Sequence, residues 1–355
     1  MEIPSFELLE FLISNAEECE YDLAQSNLPT VSLGDVGPLE DLDLSWAHTG
    51  GSPELRKLIA RISRVSEDEV LVTQGASEAN FLVGLALLDK NSRVVVERPS
   101  YEPLWKTFHL LGAKISYQPR PFEEDFGVSV ERLARSLPED TKLLVLTNLY
   151  NPGGTVMERG VLSELATLAE ERGFYVLVDE IFREAALDRE PPCALTIGER
   201  FIVTSGLSKF YGLGGLRIGW CLASAEAHSK IRAAKNFTSV APSTLSDALA
   251  VRALRMKEKV RQRNRKLIGE NRKLVEEWVD RQDSVEWVPP DGYTSFPRFQ
   301  GNVDELVSIA LKRHGTLIAP GSFFGDARHF RLCFGMDTAE LESGLDGLAR
   351  SMKKA

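Results

Sequence analysis

Cysteine and histidine are scarce, with four and five copies in 355 residues. Cys19, Cys193, Cys221 and Cys333 lie far apart and form no CxxC pair, so neither a disulfide framework nor a zinc site is signalled. His48, His109, His228, His314 and His329 show no metal-ligand spacing. A reduced, cytoplasmic protein is the default expectation. No uninterrupted apolar run is long enough to span a membrane. The opening segment, MEIPSFELLEFLISNAEECE, is acidic and amphipathic and lacks the basic start and small-residue cleavage site of a signal peptide. Positive charge is in deficit: 42 Lys and Arg against 52 Asp and Glu give a formal net charge of −10. That argues against bulk binding to nucleic acid or an anionic membrane. Repeats and low-complexity segments are absent as well. With 43% hydrophobic and 26% charged residues the chain is ordinary globular material, long enough for two domains.

What is present is an alternation. Short apolar runs at 70–73, 93–97, 114–117, 142–147, 175–179, 201–204 and 217–222 are rich in β-branched residues and mostly do not alternate with polar ones. Strands covered on both faces read this way. Between them lie helical patterns at 77–89, 101–111, 128–137 and 158–172. The implied fold is α/β, a mainly parallel sheet sandwiched by helices. Such sheets place ligands at the carboxyl ends of their strands. Residues 243–282 read as one long helix, straight or bent, with a buried stripe at Leu249, Leu254, Val260, Leu267, Leu274 and Trp278. Its basic stretch has no interleaved aromatics and reads as a solvated face. A smaller α/β unit follows Pro289–Pro290.

The residues just after the apolar runs carry the chemistry. In TSGLSKFYGLGGLRIGW, Lys209 follows a strand in a loop of small residues, and Arg217 comes eight residues later. A lysine buried there loses its proton readily and becomes a nucleophile suited to Schiff-base formation. GLGGLR fails as a dinucleotide fingerprint because Arg217 stands where the third glycine belongs. Asp179 ends the strand in FYVLVDEIF, either as a carboxylate aimed into a site or as a cap of the next turn. In TNLYNPGGTV, Asn151 opens a tight turn after a strand. Gly75, Ala76 and Ser77 join a strand to a helix, as a phosphate site at a helix N-terminus or as a plain cap. Tyr101 follows Pro99 at another strand end, to stack on a planar ligand or to pack. Arg331, between Phe330 and Leu332, is either paired internally or a receptor for a carboxylate.

Together and in this order these motifs resemble the class I/II aminotransferases, fold-type-I enzymes that use pyridoxal 5′-phosphate (PLP). The resemblance covers nearly the whole chain and includes WAHTGGSPELR at 46–56, which is similar to the family's aromatic-x4-G-x-P-E-L-R pattern. It implies that Lys209 holds PLP as an aldimine and shuttles a proton, and that Asp179 pairs with the pyridinium nitrogen. It implies that Asn151 donates to the ring's phenolate oxygen and contributes to substrate binding. Tyr101 matches the stacking aromatic. Gly75, Ala76, Ser77 and Arg217 match the phosphate cup, and Arg331 the grip on the substrate α-carboxylate. A large PLP-binding domain over 45–245 is expected. The small domain would join 1–44 to 246–355 and include the long helix between the domains. The family also implies a homodimer with small-molecule amino-acid and 2-oxo-acid substrates.

Three positions depart from the family pattern: Phe182 stands where the family usually has Tyr, Gly206 where many members have Ser or Thr, and Trp46 where Tyr is usual. The expected activity is transfer of an amino group between an amino acid and a 2-oxo acid. A C–S β-lyase, a decarboxylase or an amino-acid cyclase would share every residue named, because site motifs fix the cofactor better than the reaction. A PLP-fold regulator and a nicotinamide oxidoreductase are the readings from other classes. Dicarboxylate substrates would need a second arginine or lysine, often supplied by the partner subunit; Lys235, Lys106 and Arg120 are the candidates in this chain, and none is marked by a motif.

Overall fold

The structure, a computed structural model, describes residues 3–29, 31–37, 42–45, 47–188 and 190–355. Seven strands form its central sheet: β1 (Val70–Thr73), β2 (Arg93–Arg98), β3 (Lys114–Pro119), β4 (Thr141–Thr147), β5 (Tyr175–Asp179), β6 (Phe201–Gly206) and β7 (Gly219–Leu222). They lie in the order β1-β7-β6-β5-β4-β2-β3. β3, β2, β4, β5 and β6 pair in parallel. β7 runs antiparallel to both of its neighbours, β6 and β1. The apolar runs are therefore strands, and the sheet is mainly parallel.

Helices cover both faces. The α-helices of seven residues or more are, in chain order, α1 (Glu7–Ser14), α2 (Pro53–Ser63), α3 (Gly75–Leu87), α4 (Pro103–Leu110), α5 (Val130–Ser136), α6 (Arg159–Arg172), α7 (Ala225–Lys235), α8 (Thr244–Arg255), α9 (Lys257–Val279), α10 (Val303–His314) and α11 (Thr338–Met352). Successive strand residues point to opposite faces. Val94, Val96, Leu143, Val145 and Leu177 pack with Leu82 and Val83 of α3, Phe108 of α4 and Ile231 of α7. Val95, Leu144, Leu146, Val176 and Val178 pack into the other core with Ile59 of α2, Leu162 and Leu165 of α6 and Leu254 of α8. Each such buried aliphatic side chain contributes on the order of 1.5–3 kcal/mol. That two-sided burial is why the runs are continuous rather than alternating.

The expected single helix over 243–282 is two helices. Met256, with φ −93° and ψ 8°, separates α8 from α9, and its N–H bonds back to both Arg252 and Ala253. The buried stripe of α9 also differs from the one expected. It runs through Asn264, Ile268, Asn271, Val275 and Trp278, whereas Leu267 is half-buried. The asparagines are buried because each is bonded. Asn264 donates to the Phe210 carbonyl at 2.5 Å, one residue past Lys209. Asn271 donates to the carbonyls of Phe334 and Met336 at 2.8 and 2.7 Å. The long helix thereby ties the loop after β6 to the C-terminal part of the chain.

In that part, β10 (Phe330–Cys333) lies between β8 (Thr294–Ser295) and β9 (Ala319–Pro320), antiparallel to both. Tyr21–Asp22 pairs in parallel with Thr316–Leu317, so the N-terminal segment is held by C-terminal backbone.

Candidate active site

β1, β2, β4, β5 and β6 run in the same sense, so the loops that follow them open on one edge of the sheet. Those loops carry Gly75, Tyr101, Asn151, the end of β5 at Asp179, and Lys209. Arg217 reaches the same edge from the other direction, because it precedes the antiparallel strand β7. Arg331 comes from β10. Ala76, Ser77, Tyr101, Asn151, Asp179, Lys209, Arg217 and Arg331 all line one cavity of about 650 Å³. Gly75 does not line the cavity itself and lies against the Arg217 guanidinium.

Asp179 is 7% exposed. Burial raises its carboxyl from an ordinary 3.8 to about 6, against the Ile181 N–H at 3.0 Å, the Asn80 amide at 3.3 Å and the Lys209 charge, all of which favour the anion. Asn80, from α3, is not among the residues read from the sequence. It accepts from the Thr204 hydroxyl at 2.8 Å, which leaves its NH2 group toward Asp179. Burial lowers the Lys209 amine from 10.5 to about 8, and the neighbouring Arg331 and Arg217 charges act in the same direction. Lys209 Nζ donates to the Asn27 side chain at 3.0 Å. A carboxylate and an easily deprotonated amine thus share one cavity.

No side chain caps the N-terminus of α3. Its first amides therefore have no partner within the helix. Arg217, in the left-handed conformation at φ 52°, carries its guanidinium to that end, donating to the Gly214 carbonyl at 3.1 Å and the Gln74 carbonyl at 3.5 Å. Gly75 has φ +80°, and a Cβ there would stand 2.5 Å from Arg217 Nη2. Glycine at position 75 follows from that backbone conformation and approach. Free helix amides beside a guanidinium make an anion site.

Arg331 is 2% exposed and donates to the Ala24 carbonyl at 2.7 Å and to Asn151 Oδ1 at 3.2 Å, while its Nε has no partner. The guanidinium is thus partly paired internally, as one of the two alternatives had it, and its buried Nε has no partner, while the residue lines the cavity. Asn151 is fixed from behind, its N–H bonding to Thr147 Oγ1 at 2.9 Å. Thr147 in turn donates to Glu97, which forms a buried ion pair with Arg120 at 2.7 Å. This support also escaped the sequence reading, because its members lie on three different strands or strand ends.

Tyr101 meets Phe6 edge-on at 5.6 Å. Phe182 both lines the cavity and packs edge-on against Tyr293 at 5.7 Å. The Tyr150 hydroxyl donates to the Pro99 carbonyl at 2.7 Å and the Tyr211 hydroxyl to Glu184 at 2.8 Å. Gly206 is sterically required: a Cβ would lie 2.9 Å from the Ile218 carbonyl oxygen and 3.0 Å from Gly219 Cα. Of its serine neighbours, Ser205 bonds to the Glu180 carbonyl at 3.2 Å and Ser208 lines the cavity. Trp46 lies outside the described residues.

The family model for aminotransferase class I and II matches residues 44–348. Capreomycidine synthase from Streptomyces vinaceus is 28% identical, over 99% of this chain and 94% of the synthase. Aspartate aminotransferase from Pyrococcus abyssi is 27% identical, over 94% of each chain. Among solved structures, a PLP-dependent aminotransferase from Streptococcus suis superposes with a TM-score of 0.93 at 27% identity, covering 100% of this chain and 99% of its own. The PLP-dependent cyclase OrfR superposes at 0.91 and 25% identity, covering 100% and 98%.

Proposed function

Because the chain belongs to the class I and II aminotransferase family, whose fold is type I and whose cofactor is PLP, we propose that it transfers an amino group between an amino acid and a 2-oxo acid. The residues present fit the cofactor. An uncapped helix end with Arg217 beside it suits a phosphate dianion, and a buried carboxylate at a strand end suits a ring nitrogen that must stay protonated. Bound, PLP supplies a carbonyl for an amine to condense with and a ring that accepts electron density from Cα.

This chain's own residues then have separable tasks. Lys209 Nζ, held near a pKa of 8 by burial, is available as a nucleophile and as the base that takes and returns the proton at Cα. Asp179 keeps a proton on the ring nitrogen, and Asn80 keeps Asp179 ionised and oriented. Ala76, Ser77 and Arg217 bind the phosphate above Gly75. Asn151 orients the ring oxygen, Tyr101 covers the ring face, and Arg331, which lines the cavity, receives the substrate α-carboxylate. A homodimer completes the proposal.

One observation carries it: Lys209, Asp179, Arg217 and Arg331 converge on one cavity. The likeness to capreomycidine synthase and to the cyclase OrfR favours cyclisation as the second reading. Product analysis after one turnover separates the two. A 2-oxo acid with pyridoxamine phosphate supports transamination. A cyclised amino acid with unchanged cofactor supports the alternative, and ammonia with pyruvate identifies elimination.

A further inference from the structure

Four charged side chains line the cavity, and the reading above uses all four. Among the described lining residues no further Lys, Arg, Asp, Glu or His remains. Beyond them the wall carries uncharged polar side chains, among them Gln25, Ser26, Asn27 and Thr107, and an apolar stretch that comes largely from the N-terminal helix and the start of α4. Leu9, Leu12 and Ile13 recur at i, i+3 and i+4, which puts them on one face of α1, and they line the cavity together with Ala16 from the turn after the helix. Leu9 is 44% and Ile13 67% exposed. Large aliphatic side chains turned into an open cavity rather than a core mark a place where an apolar group is buried on binding.

The helix is held there by α4. Buried Glu102 accepts from the Leu8 N–H at 2.7 Å, and Lys106 donates to the Ser5 carbonyl at 2.9 Å and pairs with Glu7 and Glu102. Phe11 packs on Phe323 at 5.4 Å. The acidic residues of α1, Glu7 and Glu10, do not line the cavity.

The cations considered for a second carboxylate are engaged elsewhere. Lys235 is 1% exposed and bonds to Ser239 and to Glu78, the latter at 3.4 Å. Lys106 serves α1. Arg120 pairs with Glu97, donates to the Phe126 carbonyl and stacks over Tyr150 at 3.8 Å. None of the three lines the cavity.

We propose, resting on the reading of the site as one for an α-amino acid, that the substrate's side chain is uncharged and apolar, of the size of leucine, methionine or phenylalanine. It lies against Leu9, Leu12 and Ile13 of α1 and Leu104 of α4. A second carboxylate or a guanidinium placed there would leave water without gaining a counter-charge from the described residues of this subunit, so both dicarboxylic and strongly basic amino acids are disfavoured.

The test is titration of the holoenzyme with leucine, methionine, phenylalanine, aspartate, glutamate and arginine, read from the cofactor's visible absorbance, which responds to binding before any particular reaction follows. The apolar amino acids should half-saturate at concentrations at least about tenfold lower than the charged ones. Ile13→Ala, on an exposed side chain that the fold does not need, should weaken leucine binding by about threefold and leave aspartate unchanged. Leu12→Arg should shift the preference toward aspartate.

Aspartate, glutamate or arginine binding as tightly as leucine overturns the inference, including by way of a cation from a second subunit. It leaves transamination standing if an oxo acid forms. Apolar amino acids that bind without yielding an oxo acid keep the inference and remove transamination. If no amino acid perturbs the absorbance, both fall.

Discussion

The amide of Asn80 donates to the Asp179 carboxylate at 3.3 Å, from a helix that starts at the proposed phosphate site. This bond makes α3 a support for the acid as well as for the anion. A donor to the charged form lowers a carboxyl pKa. Asn80→Leu should therefore push Asp179 above its value of about 6. In the pH profile of kcat/KM the acid limb should move to higher pH, with the alkaline limb unmoved. An acid limb that stays in place would show that Asn80 does not act on Asp179.

Asp179 itself should trade stability for activity. Its folded pKa of about 6 lies above the ordinary 3.8, so folding favours the protonated form. The stability this gives is fully present below the lower value and is lost as pH rises through the higher one. At pH 8 the ionised group costs about 3 kcal/mol in the cofactor-free protein. Asp179→Asn should accordingly be more stable than wild type to urea at pH 8, with the gap closing toward pH 4, while turnover falls by orders of magnitude. A variant less stable than wild type at pH 8 would contradict the assignment.

Arg331→Lys keeps a charge but loses the planar fork and the bond to Asn151 at 3.2 Å. Loss of a charge-assisted hydrogen bond is worth about 1.5–3 kcal/mol, so the amino-acid KM should rise by about ten- to a hundredfold. Affinity for PLP, measured by equilibrium titration of the cofactor-free protein, should stay within a few-fold. Loss of the cofactor instead would place Arg331 in its binding shell.

Gly206→Ser restores the hydroxyl that many relatives carry and should still harm this protein. The new Cβ would press on the Ile218 carbonyl and on Gly219, where β6 and β7 pair. Overpacking of this kind costs about 1–3 kcal/mol. Thermal unfolding should shift down by several degrees, and PLP affinity should not improve.

The strands and the loops that carry Lys209, Asp179, Asn151 and Arg217 were legible because two-sided burial leaves continuous apolar runs, and ligands gather where parallel strands end. Asn80 was not, because a single polar residue within GASEANFLVG follows no period and gains its partners, Asp179 and Thr204, only in the fold. Asn264 and Asn271 were passed over in favour of leucines, since an asparagine becomes a core residue only when distant carbonyls receive it. The break at Met256 left no mark, as neither glycine nor proline occurs there. The amphipathic start of the chain was visible. That its apolar face turns to the cavity depends on Glu102, 94 residues from the Leu8 N–H that it holds.

The most direct measurement of the account is the identity of the lysine that carries the cofactor. Borohydride reduction of the holoenzyme, followed by digestion and mass mapping, should place the pyridoxyl adduct on Lys209, and Lys209→Ala should lose both the adduct and turnover while folding normally. An adduct on any other lysine, or a Lys209→Ala variant that still forms one and turns over, would contradict the site as described.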